Sequence, residues 1–182
     1  MAVGILGLTM ALGFSGCQSE NQKNQDAYRK IGINSMAEGD YDKAVKSFQK
    51  ALDTSLGKIG AEEIDICYYK AAAQFAKKDY DGAIETYTSL IDYDKENANA
   101  YYLRGSVYLD TDKKDKAFKD YKNAVKYAGR EYEIYEGIYE NLTNKGETEE
   151  AKNYLKKALD IKPKDGADYA AVSYTHLRAH ET

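Results

Sequence analysis

The chain has 182 residues, with 26 lysines and arginines against 30 aspartates and glutamates, a net charge of -4, 18 tyrosines, no tryptophan and one proline. That length holds about one ordinary domain. No basic stretch is concentrated enough to neutralise a run of phosphates, which excludes a nucleic-acid footprint. Because Pro163 is the lone proline, long helices can run without interior breaks, and an all-helical fold is the first expectation.

The N-terminus differs in kind from the rest. Residues 1–16, MAVGILGLTMALGFSG, carry no charge, and Val3–Phe14 is an apolar run of the length of a secretory signal core. It is too short to span a bilayer as a mature helix. The string Phe14-Ser15-Gly16-Cys17 resembles the lipobox of bacterial lipoprotein signal peptides. The resemblance implies a signal peptide over residues 1–16, acylation of the Cys17 thiol, and an extracytoplasmic protein lipid-anchored to the cell membrane. The alternative is an ordinary secretory signal in which Cys17 is incidental. Residues 17–26, polar and without apolar period, read as a linker between lipid and folded domain.

From residue 39 the sequence repeats. GDYDKAVKSFQKALD (39–53), KDYDGAIETYTSLID (78–92), KKDKAFKDYKNAVKY (113–127) and GETEEAKNYLKKALD (146–160) align without gaps on Ala44, Ala83, Ala117 and Ala151, at steps of 39, 34 and 34 residues. Four residues after each alanine stand Phe48, Tyr87, Tyr121 and Leu155, and three further on Ala51, Leu90, Ala124 and Ala158. Those offsets put all three positions on one helix face. A small residue at each alanine lets two helices approach, and the ring or leucine one turn later fills the gap to the next unit.

Upstream of each alanine the pattern resembles the first helix of the tetratricopeptide repeat: Tyr28, Ile31 and Gly32; Cys67, Lys70 and Ala71; Tyr101, Gly105 and Tyr108; Tyr135, Ile138 and Leu142, with Pro163 at the closing proline,. The resemblance implies an all-α solenoid of antiparallel helix pairs over residues 27–171. Its repeats fall at approximately 25–58, 64–97, 98–131 and 132–165, with the start of a fifth from residue 166. The five extra residues of the first step fit an extended loop at SLGKIGA, 55–61. In that family the first helices line a concave groove. Positions spaced i, i+4, i+7 there are Arg29, Ile33 and Met36; Tyr68, Ala72 and Phe75; Tyr102, Ser106 and Leu109; and Glu136, Glu140 and Thr143,. The groove should run from mildly basic through aromatic to acidic. Met36, Phe75 and Leu109 equally suit a partly buried role. Ile33 stands where a carboxylate-clamping asparagine would be in chaperone-type members.

The remaining motifs are weaker. Cys67 lies in a helical pattern and reads as a packing residue. DTDKKD, 110–115, lacks the glycine and terminal glutamate of a calcium loop,. Asn141-Leu142-Thr143 is a glycosylation sequon that a bacterial-type signal makes idle. His176 and His180 have the i,i+4 spacing of a helical zinc pair,. They fall in VSYTHLRAHET, residues 172–182, which back-translates to a transposase mosaic end joined to a sequencing adapter and reads as a cloning scar. With it set aside no histidine remains for acid–base work. The expectation is a non-enzymatic, lipid-anchored scaffold for a protein or peptide partner, with no metal and no cofactor. The competing readings are the docking arm of a larger enzyme and a self-associating envelope protein.

Overall fold

A computed structural model describes the backbone of residues 12–161 and the side chains of residues 20–161. Among these residues there are eight helices and no strand: α1 (Leu12–Ala37), α2 (Tyr41–Thr54), α3 (Ala61–Ala76), α4 (Tyr80–Tyr93), α5 (Ala98–Asp110), α6 (Lys114–Ala128), α7 (Tyr132–Asn144) and α8 (Thr148–Asp160). Consecutive helices pack as hairpins α1/α2, α3/α4, α5/α6 and α7/α8. Each hairpin leans on the next, and first helices also touch at α1/α3 and α5/α7. Each unit thus contacts only its neighbours, as in a one-dimensional array.

The turn within each hairpin is one device used four times. Gly39, Lys78, Asp112 and Gly146 have φ of 77°, 66°, 57° and 77°, at the same steps as the sequence repeat. The next N–H reaches back over the turn: Asp40 to the Ser35 carbonyl at 2.8 Å, Asp79 to Gln74 at 2.8 Å, Lys113 to Tyr108 at 2.8 Å and Glu147 to Leu142 at 2.9 Å. This is the bond that closes a Schellman helix end. Lys78 and Asp112 adopt the conformation without being glycine, at a cost of roughly 1–2 kcal/mol each. Side-chain caps then start new helices. The Asp40 carboxylate accepts from Lys43 N at 3.0 Å, Asp79 from Gly82 N at 3.1 Å and the Asn97 amide oxygen from Ala100 N at 2.9 Å,.

The core runs along the array. Ala44, Ala83 and Ala117 are 0% exposed and Ala151 is 1%, while Phe48 and Tyr121 are 0% and Tyr87 is 4%. Each ring rests on a small residue of the facing helix. A Cβ on Gly32 would lie 2.5 Å from Phe48, and one on Gly105 would lie 2.8 Å from Tyr121; Ala71 stands at the matching place in the second unit. The fourth unit departs from the expected pattern. Tyr139, buried, stands where the others have Gly32, Ala71 and Gly105, so the space is already filled. Leu155 is accordingly only half-buried, and Tyr154 turns inward instead, edge-on to Tyr121 at 6.3 Å.

A second departure concerns residues 17–26, read as a linker. They belong to α1, which begins at Leu12. Gln25 is buried and donates to Glu63 at 2.8 Å, and Gln22 donates to Glu62, both in the first turn of α3. Amide contacts, not an apolar stripe, dock this stretch, which is why no hydrophobic period marks it. Residues 1–11, Pro163, the fifth unit and residues 172–182 with both histidines lie outside the described residues. Among the described residues no helix is long and apolar enough to cross a membrane.

Burial of tyrosines gives the fold an alkaline limit. Desolvation pushes Tyr87 well above its ordinary value, and pushes Tyr121 from 10.0 up to about 12. The unfolded chain therefore ionises these hydroxyls first. The stability they contribute is complete below a pH of about 10 and is lost as the pH rises toward about 12. In an alkaline titration, late tyrosinate absorbance should appear together with loss of helical circular dichroism, and Tyr121→Phe should reduce the steepness of that loss.

Candidate functional site

The first helices α1, α3, α5 and α7 follow one another along the array, touching at α1/α3 and α5/α7, and they carry the expected groove positions. At the α1 end the face is closed by its own contacts. Arg29 pairs with Asp65 of α3 and lies 5.4 Å over the Tyr69 ring, so it staples two units together. Ile33 and Met36 are half-buried against the cluster around Phe48. Phe75 packs against the cluster around Tyr87, edge-on to Tyr80 at 5.7 Å.

Toward the middle the face becomes polar and aromatic. Tyr68 donates its hydroxyl to Asn97 Oδ1 at 2.7 Å, tying α3 to the residue that caps α5. Tyr102 is half-buried, with its hydroxyl over Gly137 of α7, where any Cβ would overlap it. Gly137 is therefore a seat for Tyr102. Asn141 of α7 donates to Ser106 Oγ at 2.7 Å, and Ser106 in turn donates to the Tyr102 carbonyl at 2.9 Å. Burial raises the Tyr102 pKa above its ordinary value, so the group stays a neutral hydroxyl at working pH.

Leu109 does not belong to this face. It is 2% exposed, in one cluster with Ala117, Tyr121 and Leu142, because the last turn of α5 is covered where the chain folds back into α6. Beyond it the face turns acidic. Helix α7 carries Glu133, Glu136 and Glu140 and no lysine or arginine, with Glu136 half-buried and Glu140 exposed. Lys145, just past the helix, is paired with Asp110 at 3.0 Å.

The sequence reading missed a buried ion pair beneath this face. Arg104 Nε donates to Asp120 Oδ2 at 2.7 Å and a second guanidinium nitrogen to Oδ1 at 2.9 Å, while the third reaches Thr88 Oγ1 at 3.0 Å. The two side chains are 15% and 4% exposed. The Tyr101 and Tyr108 rings lie 5.7 and 5.9 Å from the guanidinium. Arg104 stands where the first and fourth units have Ile31 and Ile138. A signal was present: opposite charges occupy inward periodic positions on the two helices of one hairpin, beside Gly105 and Tyr121.

Other candidate chemistry is sparse. Cys67 is half-buried, and burial pushes its thiol up, away from the reactive thiolate,. Among the described residues no three histidine, cysteine or acidic side chains gather as a metal site. On the opposite side an open hollow of about 600 Å³ between α6 and α8 is lined by Lys122, Lys156 and Lys157, offset by Glu150 and Asp160.

An all-α array of stacked antiparallel helix pairs defines the class of repeat scaffolds, in which the stack presents an extended surface. Models described as tetratricopeptide repeat match residues 29–87, and residues 98–130 and 140–165, and one described as TPR repeat matches residues 71–112. The chain is built of tetratricopeptide repeats. Its fold is similar to that of MamA from Desulfovibrio magneticus RS-1, with 22% identity over 79% of this chain and 77% of that one and a TM-score of 0.60. It is similar to TTC0263, a thermophilic TPR protein of Thermus thermophilus, at 19% identity over 76% and 74% with a TM-score of 0.59. It is also similar to YrrB, a TPR protein with an unusual peptide-binding site, at 18% identity over 87% and 75% with a TM-score of 0.58. No curated protein matches the sequence.

Proposed function

We propose that the protein is a non-enzymatic adaptor, exported and held at the cell membrane through lipid on Cys17, that grips a protein or peptide segment along the first-helix face of its second to fourth units. Tyr68, Tyr102, Ser106, Glu136 and Glu140 are its contact residues, and residues 172–182 take no part. The supporting observation is Tyr102 on its glycine seat: a half-buried ring, already positioned by Gly137, beside an α7 surface that carries only acidic charge. Such an anchor loses little freedom on binding, which is what makes aromatic side chains dominate recognition surfaces. The likeness in fold to YrrB, a protein with a peptide-binding site, supports the same kind of use.

With a partner recovered on the domain, Tyr102→Ala should weaken binding at least about tenfold, as loss of an aromatic anchor does. Lys119→Ala on α6, exposed on the other helix of its hairpin, should leave binding unchanged. Equal affinity of Tyr102→Ala and wild type would remove the face from the binding site. The anchor is tested apart from this. Detergent phase partitioning should carry the wild type into the detergent phase and leave Cys17→Ala aqueous or unprocessed, and an aqueous wild type contradicts lipidation.

A further inference from the structure

We propose that the loop at residues 55–60, between α2 and α3, inserts its aliphatic tip into the surface of the bilayer that holds Cys17; this rests on the anchoring reading above. Leu56 and Ile59 are 75% and 57% exposed, more than any other large hydrophobic residue among those described. Leu56 does this at φ 54°, a left-handed conformation that disfavours every residue with a Cβ. A leucine kept there, pointing at solvent, serves neither the turn nor the core. The loop is also the place where the 34-residue step lengthens to 39, so it is an addition to the repeat.

The position of the loop selects lipid as its occupant. Leu56 and Lys58 line one shallow hollow with Asn21, Gln22 and Gln25 of α1, at the end of the array where α1 comes in from the N-terminus. Cys17 precedes Asn21 by four residues in the same unbroken helix, a distance of about 6 Å along the axis. Gln22 and Gln25 bind Glu62 and Glu63 in the first turn of α3, directly after the loop. A lipid on Cys17 would therefore sit about one helical turn from the α1 residues that share the hollow with the loop,. Residues 55–60 contain no acid and one cation, Lys58. Its stem can lie along the acyl boundary while its ammonium stays at phosphate level. Interfacial segments reach about 5–10 Å below the headgroups, a depth that two aliphatic side chains on a short loop can cover.

The chain has no tryptophan, so Ile59→Trp gives a single reporter. The acylated full-length protein, floated with phosphatidylcholine vesicles, should show blue-shifted emission that falls at least about twofold when the acyl chains carry bromine. Glu38→Trp, exposed at the turn from α1 to α2 on the far side of the hairpin, controls for the affinity of tryptophan itself and should not be quenched. An Ile59→Trp protein that floats with the vesicles while its emission ignores bromine overturns the loop contact and leaves the anchor standing, with the tip then free for a protein. Protein that does not float overturns anchor and contact together.

Discussion

Asp120→Ala should destabilise the protein by about 3 kcal/mol, measured as a lower urea midpoint at unchanged slope. The loss comes from what the substitution leaves behind. Removing the carboxylate strands the Arg104 guanidinium between α5 and α6, and breaking a buried pair from one side costs about 3–5 kcal/mol. The lower end of that range applies because Arg104 keeps 15% exposure and retains its bond to Thr88. Replacing both partners together, Arg104→Leu with Asp120→Leu, should recover most of the loss, since an apolar pair of similar volume needs no charge compensation. The coupling energy between the two sites should therefore exceed about 1 kcal/mol. A cost of Asp120→Ala under about 0.5 kcal/mol, the scale of ordinary surface changes, would mean that the pair contributes nothing.

Tyr121→Ala should be of similar or greater size, about 3–5 kcal/mol, the range for deleting a fully buried aromatic. The ring rests on Gly105, meets Tyr154 edge-on at 6.3 Å and lies 6.4 Å from Tyr102. Its hydroxyl accepts from Asn141 at 3.4 Å, a bond at the outer limit of length. Tyr121→Phe should therefore cost no more than about 1 kcal/mol. Because the units couple only to neighbours, Tyr121→Ala should lower hydrogen-exchange protection in α5 to α8 before it reaches α1 and α2. It should weaken partner binding as well, since Tyr102 and Asn141 both lean on the lost ring. Uniform loss of protection along the whole chain would show one cooperative block.

Much of this architecture is legible in the residues. Ala44, Ala83, Ala117 and Ala151 sit in the core because a 34-residue period with a fixed small-to-large offset leaves little choice about which face packs. The paired Asp and Asn caps and the turn positions Gly39 and Gly146 follow from local chemistry. What escapes a reading of the residues is where one unit departs from the rule. Tyr139 at the small-residue position of the fourth unit displaces Leu155, an effect between helices that no single helix pattern carries. Leu109 has the groove spacing yet is buried, because spacing fixes a face and not how far the neighbouring helix covers it. The helical stretch 17–26 is hidden because glutamine contacts leave no hydrophobic period. Arg104 and Asp120 stand at inward periodic positions, but only the hairpin shows that the two charges meet each other rather than solvent.

The central claim is that the first-helix face of the middle units receives a partner segment. A photo-cross-linking amino acid at Asn99 of α5 or Glu140 of α7, both exposed, tests it with the partner still unidentified when the protein is irradiated in the cells that express it. The account predicts covalent adducts from both positions, competed away by excess unlabelled protein, and none from the same probe at Lys119 of α6. Adducts from Lys119 with none from Asn99 or Glu140 would place the binding surface on the other side of the array and contradict it.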